Sequence, residues 1–399
     1  MKKQFLSLIF ICLCTLGVHG QSEETPSARK VTQYQGPEVT KFSVEGRFGW
    51  QMFRTSGVTE DDRTGFRGEF FNLRLDARLY KGLSFSWRQR LNITSERNFW
   101  NSTDWMVLNY APNKDWLISA GKQVVAIGGY EYDRPPIDIY NSNSEYWNHI
   151  GCYQFGASVA YNFSKDDRLT FQFSNSPFRT DIGNNNNYGF SLMWNGSHGM
   201  WETIWSVNAF QCTGGRWMNY IALGNKFNFI PQRMWLELDY VNRASSHQTF
   251  LFEDCSVIAE MSGKPHSTVR MFAKYTYDVN NTGTDADLYV MSGTEMHGVS
   301  GGIEYEPFKK HPEVLRLFGS CGYTWGVNTN PNGAMKDGQI RLVADTAARV
   351  PTRIFWRTRI AHHCHDIFFV PTQTRGNIDF ETKITIIASG NFFAIQIDI

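Results

Sequence analysis

Across 399 residues, 39 basic and 38 acidic side chains nearly cancel, so no overall positive bias marks a nucleic-acid binder. Aromatic residues reach 15%, with 30 Phe, 17 Tyr and 13 Trp, a composition that suits β-strands and the aromatic belts of membrane barrels. After residue 20 no apolar run approaches the roughly 18 residues a membrane helix needs, which excludes helical spans.

The first residues, MKKQFLSLIFICLCTLGVHG, pair a positive start (Lys2, Lys3) with an apolar stretch from Phe5 to Gly17 and small residues before Gln21. This pattern is expected of a secretory signal peptide over residues 1–20, cleaved after Gly20. Residues 21–40 are polar and patternless and are expected to form a flexible periplasmic lead-in. Of 7 cysteines, Cys12 and Cys14 leave with the signal. The rest (Cys152, Cys212, Cys255, Cys321 and Cys364) are odd in number and scattered, which argues against a disulfide framework.

From residue 42 an alternation of period two begins and continues to the C-terminus. Phe42, Val44, Phe48 and Trp50 oppose Ser43, Glu45, Arg47 and Gln51. Leu73, Leu75 and Ala77 oppose Arg74, Asp76 and Arg78, and Phe85, Trp87 and Leu91 oppose Ser86, Arg88 and Arg90. The pattern recurs in Phe155-Val159-Tyr161, Leu169-Phe171-Phe173, Leu236-Leu238-Tyr240, Met271-Ala273-Tyr275 and Phe393-Ile395-Ile397-Ile399. Successive strand side chains point to opposite faces, so each segment has one apolar and one polar face. No helical period is sustained. The chain is all-β.

Connections alternate in length. Short turns are expected at 81–82, 112–115, 164–167, 197–199, 230–233 and 263–266, and long polar loops at 55–66, 126–150, 178–186, 280–293 and 326–337. Short periplasmic turns on one rim and long extracellular loops on the other mark outer-membrane barrels. So long a meander leaves exposed edges as an open sheet, and a closed barrel of that size has a wet interior, so the apolar face must be the outer one. The reading is a transmembrane antiparallel up-and-down β-barrel over residues 41–399. It has sixteen strands, or eighteen if VPTR (350–353) turns an additional hairpin.

Two stretches, WLISAGKQVVAIGGYEYDRPPIDIYNSNSEYW (116–147) and LFGSCGYTWGVNTNPNGAMKDG (317–338), carry a resemblance. With the leader and the meander they resemble the phosphate-selective porin O/P family, in the form found in Bacteroidetes-like bacteria. The resemblance implies a sixteen-stranded trimeric porin of the outer membrane whose third long loop narrows the lumen. This sequence departs from the dense arginine ladder that family uses for phosphate. Its inward basic residues, Arg74, Arg78, Arg88, Arg90, Arg270 and Lys274, are the pore-lining candidates, mixed with Glu45, Asp76, Glu237 and Asp239. The constriction-loop candidates are Glu131, Asp133, Arg134 and Asp138. An acidic loop facing a basic wall would set a transverse field favouring small polar solutes, whereas the same charges could instead pair as an internal salt-bridge network.

His362, His363, Cys364 and His365 have ligand chemistry, but adjacent strand residues point to opposite faces and no second cluster completes a metal site. No catalytic motif, cofactor or catalytic residue is read from the chain. The expectation is a passive channel for small hydrophilic solutes or anions. The rivals are a barrel-embedded lipid hydrolase needing a Ser–His pair on the outer rim, and a surface receptor with a plugged lumen. No plug-sized domain precedes the first strand, which counts against a plugged, energised transporter. Expected partners are outer-membrane lipids, the barrel-assembly machinery reading the C-terminal strand, and further copies in a homotrimer.

Overall fold

The computed structural model describes residues 37–56, 58–91, 98–141, 144–178, 187–212, 216–245, 252–285, 289–312, 314–331, 338–357, 383–386 and 394–398. The leader, most of the lead-in and His362–His365 therefore lie outside the described residues.

Sixteen antiparallel strands form the wall. In chain order they are β1 (Glu38–Thr55), β2 (Val58–Tyr80), β3 (Leu83–Arg90), β4 (Thr103–Tyr110), β5 (Trp116–Val124), β6 (Tyr153–Asn162), β7 (Asp167–Asn175) and β8 (Tyr188–His198). They continue as β9 (Trp201–Gln211), β10 (Trp217–Ile230), β11 (Met234–Ser245), β12 (Asp254–His266), β13 (Val269–Asn280), β14 (Thr294–Tyr305), β15 (Leu315–Val327) and β16 (Gln339–Arg357). Each pairs with the next in sequence, and β1 pairs with β16 from Phe42↔Thr352 to Thr55↔Gln339, so the sheet closes on itself. Two short segments, β17 (Lys383–Ile386) and β18 (Ala394–Asp398), pair with each other and with Arg353–Arg357 beyond the cylinder.

Burial answers which face meets water. Phe155, Phe171, Phe173 and Leu192 are all exposed on the outside, while Gln172, Ser174 and Ser191 on the alternate row are buried inside. Three tryptophans near the short-turn rim have hydrogen-bonded indoles, as expected at a membrane interface. The indoles of Trp201 and Trp205 both donate to Asn225 Oδ1, at 3.1 and 3.2 Å, and Trp194 donates to Asp167 at 3.0 Å.

Three expectations need correction. Residues 55–66 are not a long loop, because Val58–Phe71 run as strand against β1. Both faces of that hairpin carry polar residues, so the alternation that marks a membrane strand is lost although the backbone still pairs. VPTR is not a turn, since β16 runs straight through it. Pro351 lacks an N–H, but β15 ends opposite Ala348, so Pro351 has β1 as its only barrel neighbour and no ladder bond to β15 is lost. The eighteen-stranded alternative therefore fails, and β16 rather than the chain's last residues closes the barrel. The first strand also begins at Glu38, within the expected lead-in.

A charge on the outer row meets hydrocarbon. Leu192→Arg is expected to lower folding free energy in lipid vesicles by about 2–4 kcal/mol, the cost of Arg near the bilayer midplane. A urea titration in which this variant matches Leu192→Ala would contradict the outward assignment.

Candidate functional site

The connection between β5 and β6 does not stand above the rim. It turns inward and lies along the inner faces of β7, β9 to β15 and β1. It contains three short elements of its own, a single helical turn at Tyr130–Asp133, a 3-10 turn at Pro136–Asp138 and a short helix at Glu145–His149.

Its entry is a close backbone approach. Ala126 N–H donates to Gln172 Oε1 at 2.7 Å, its carbonyl accepts from Asn208 at 2.7 Å, and Gly128 N–H donates to Ser206 at 2.8 Å. A Cβ on Gly128 would lie 2.4 Å from the Ile204 carbonyl and 2.7 Å from that of Ala222, so only glycine fits. Gly129 has φ +117°, a conformation side chains rarely adopt, and it packs on Gly224 of β10. The GGY stretch is thus a hinge pressed to the wall.

Beyond it, charge holds the loop. The Asp239 carboxylate accepts from the backbone N–H groups of Tyr130 and Glu131, at 2.7 and 2.8 Å. Lys274 binds Glu131 at 2.7 Å and donates to the Asn141 carbonyl at 2.8 Å. Arg134 bridges Glu237 and Glu260, and Arg270 meets Glu260 from the wall at 2.8 Å. Asp138 pairs with Arg316. Arg47 donates to the Ile139 carbonyl at 2.5 Å and binds Glu69 at 2.7 Å, while Tyr140 stacks on Phe318 at 3.8 Å. The return leg fixes Glu145 N–H to Asp278 at 2.7 Å. Under these contacts lies an apolar seat of Val125, Ile127, Tyr132, Tyr146, Phe210, Met218 and Tyr220.

Of the basic candidates, Arg270 and Lys274 are nearly inaccessible and tied to loop or wall carboxylates. Arg88 is also buried, between Glu45 at 3.3 Å and Asp104 at 3.4 Å. Arg90 binds Asp104 at 2.7 Å and Arg74 binds Asp76 at 2.9 Å, yet their side chains stay 24% and 31% exposed. Arg78, 63% exposed, pairs loosely with Glu38 at the short-turn rim. Among the loop candidates Glu131, Arg134 and Asp138 all have partners. Asp133 is exposed and has no side-chain partner among the described residues. Set deep among protein atoms, its carboxyl is pushed above the ordinary aspartate range by desolvation.

Sequence reasoning missed Arg47, Glu69, Glu260 and Arg316 as loop anchors. Their inward parity was readable, but their partners lie far away in the chain, 178 positions for Arg316 with Asp138 and 272 for Glu69 with Arg341. It also missed the apolar inner row of β9 and β10. There Ile204, Phe210, Met218, Tyr220 and Ala222 face the loop rather than water, so these strands are apolar on both sides.

A closed sixteen-stranded antiparallel barrel, apolar outside and charged inside, with a loop folded against its inner wall, is the architecture of an outer-membrane porin. The model of the phosphate-selective porin O and P family matches residues 42–200, from β1 through β8, about two-fifths of the chain. No curated protein matches the sequence significantly. Among solved structures, the chain is similar to an anion-selective porin from Comamonas acidovorans, at TM-score 0.56 and 12% identity over 79% of this chain and 100% of that one. The outer membrane channel DcaP of Acinetobacter baumannii gives TM-score 0.57 and 12% identity over 79% and 98%. In-vitro folded OmpT of Vibrio cholerae, in a trimer form, gives 0.55 and 12% over 79% and 100%.

Gly128→Val places branched carbons against two wall carbonyls and is expected to unseat the loop. Stability should fall by about 1–3 kcal/mol as in overpacked cores, and single-channel conductance should rise. Unchanged conductance would mean that the loop does not limit flow.

Proposed function

We propose that the barrel is a passive channel of the outer membrane for small hydrophilic solutes, with a preference for anions set by Arg74 and Arg90. The observation that carries this reading is the asymmetry of the inner wall. On β9 to β15 the inward side chains are mostly buried beneath the loop, whereas inward Ser84, Ser86, Arg90, Asn109, Ser158 and Thr170 on β3 to β7 keep access to solvent. Solutes then pass between the loop and the β2 to β8 wall.

Along that path the six basic candidates divide into two groups. Arg74, Arg90 and, at the mouth, Arg78 are reached by solute. Arg88, Arg270 and Lys274 are structural ties, their charge cancelled by carboxylates at short range. Asp133 is the loop acid with no side-chain partner among the described residues. A low-dielectric wall strengthens the field of such residual charges on a passing ion. We further propose a homotrimer, for which the trimer form of Vibrio cholerae OmpT is the support, and contact with outer-membrane lipid through the outer row.

Purified protein in planar bilayers is expected to conduct, with a reversal potential in a potassium chloride gradient on the anion side. Arg74→Ala with Arg90→Ala should move that potential toward the cation side. Arg88→Ala should instead cost stability, about 3–5 kcal/mol, because it removes the buried cation that sits between Glu45 and Asp104. Selectivity that follows Arg88 and ignores Arg74 and Arg90 would reverse the assignment.

The acid on the loop gives a pH dependence of stated sign. Because desolvation by the surrounding protein raises the Asp133 carboxyl above the usual value of about 3.9, it becomes neutral before an ordinary aspartate as pH falls. Anion preference should therefore grow on acidification, starting above the normal carboxylate range. Asp133→Asn should show the enhanced preference already at neutral pH and lose that early step, which reversal potentials measured across pH would reveal.

A further inference from the structure

A cavity of about 830 Å³ opens at the short-turn rim, between the β10–β11 turn and the β12–β13 turn. That volume falls among small-molecule sites of roughly 300–1,000 Å³ and exceeds what a bare inorganic ion fills. Lys226, Arg233, Lys264 and His266 line it, and Glu202 is its one carboxylate among the described residues. Lys226 shares Glu237 at 3.5 Å and Lys264 shares Glu306 at 3.1 Å, but an ammonium has three N–H donors, so each lysine has donors to spare. Arg233 has no side-chain partner among the described residues. His266 Nδ1 accepts from the Thr268 N–H at 3.4 Å, which leaves the ring proton on Nε2. The recess is short of negative charge.

The rest of the lining discriminates among anions. Glu202 accepts from Asn228 at 2.7 Å and keeps acceptor capacity for a second donor. It repels a ligand made only of acid groups and favours one that also carries O–H donors. Asn228 and Gln232 add side-chain amides, and Pro231, Pro265 and Trp235 add apolar wall. Gln232 follows Pro231 in its turn at φ +60°, where glycine is the unstrained choice, so the turn presents a lining side chain at a conformational cost. On β7, inward Arg168 has no side-chain partner among the described residues and extends the positive rim toward the open wall.

We propose that this recess is a binding site for sugar acids. The ligand's carboxylate meets Arg233 and the spare donors of Lys226, Lys264 and His266, while its hydroxyls meet Glu202, Asn228 and Gln232. A neutral sugar would leave the cations unanswered, and a plain carboxylate such as acetate would leave Glu202 and the amides unanswered. The inference rests on the channel reading for how the ligand arrives, though not for the binding itself. The site adjoins the β5–β6 loop, since Lys226 Nζ lies 5.6 Å from the centre of the Tyr130 ring. Charges at a mouth open to solvent are screened, so the ligand is held loosely enough to leave, and binding weakens with salt.

Two measurements on the full-length protein separate binding from conduction. Calorimetric titration in detergent at low salt is expected to show saturable binding of D-galacturonate, with D-galactose and acetate about tenfold weaker or more. Arg233→Gln and Glu202→Gln should each weaken galacturonate by about tenfold or more, the loss of one charge-assisted hydrogen bond. Circular dichroism should show both variants folded. In planar bilayers, galacturonate added on the short-turn side should reduce the chloride current of the native protein more than that of Arg233→Gln. Equal binding of the three probes, or galacturonate binding that either substitution leaves unchanged, would overturn the site. Selective binding by a protein that does not conduct would overturn the channel reading and keep the site. Conductance with no galacturonate binding would do the reverse.

Discussion

Hydrocarbon offers no partner to a backbone amide, so every strand in the bilayer must find both of its neighbours within the protein. The pairing of β1 with β16 is where that requirement is met, since without it two edges would face lipid unsatisfied. Everything else in the molecule follows from closure. It sends the apolar row outward and forces the charged row into an enclosed space. It also makes the inside too wide for strand side chains alone to fill. The β5–β6 loop is the answer to that surplus width.

Placing a loop inside the barrel creates the opposite difficulty, because its own backbone and charges must be satisfied away from bulk water. Here polar and apolar contacts divide the task. Near the entry, Gln172, Ser206, Asn208 and Asp239 take up the loop's amides and carbonyl. Farther along, Arg134, Glu131 and Asp138 each meet an opposite charge from the wall. An apolar patch on β9 and β10 receives Tyr146 and Ile127. Removing one member of such a buried pair leaves the other uncompensated, so the network fixes one loop position whatever it contributes to net stability.

The strands were legible because lipid on one side and water on the other impose a period of two that few other environments sustain. Where that contrast disappears, the signal goes with it. In the β1–β2 hairpin, Arg63 to Arg67 are exposed or half-exposed on both faces, and the segment reads as a loop although it pairs as strand. Strand β10, WMNYIALGNKFNFI, has apolar groups on both faces because the loop covers its inner one. The candidate loop itself was visible as GGYEYDRPPID, and the parity of Arg88, Arg270 and Lys274 was readable. Which carboxylate each would meet was not, because pairs such as Arg134 with Glu260 join segments 126 positions apart and depend on how the loop crosses the lumen.

That crossing changes what the inner charges mean. A count of inward arginines suggests a strongly anionic preference, and a count of inward carboxylates suggests the reverse. Neither count describes the field a solute meets, since a charge paired at about 3 Å presents a dipole whose influence falls away far faster than that of a lone ion. Arg88, Arg270, Lys274 and Glu131 belong to this cancelled class. What solvent still reaches is a small set of charges, Arg74 and Arg90, which stay part exposed although Asp76 and Asp104 pair with them, and Asp133 on the loop. Among the described residues, many ionic groups are spent on the barrel's shape, and under the proposed function the few that solvent reaches set the preference among solutes.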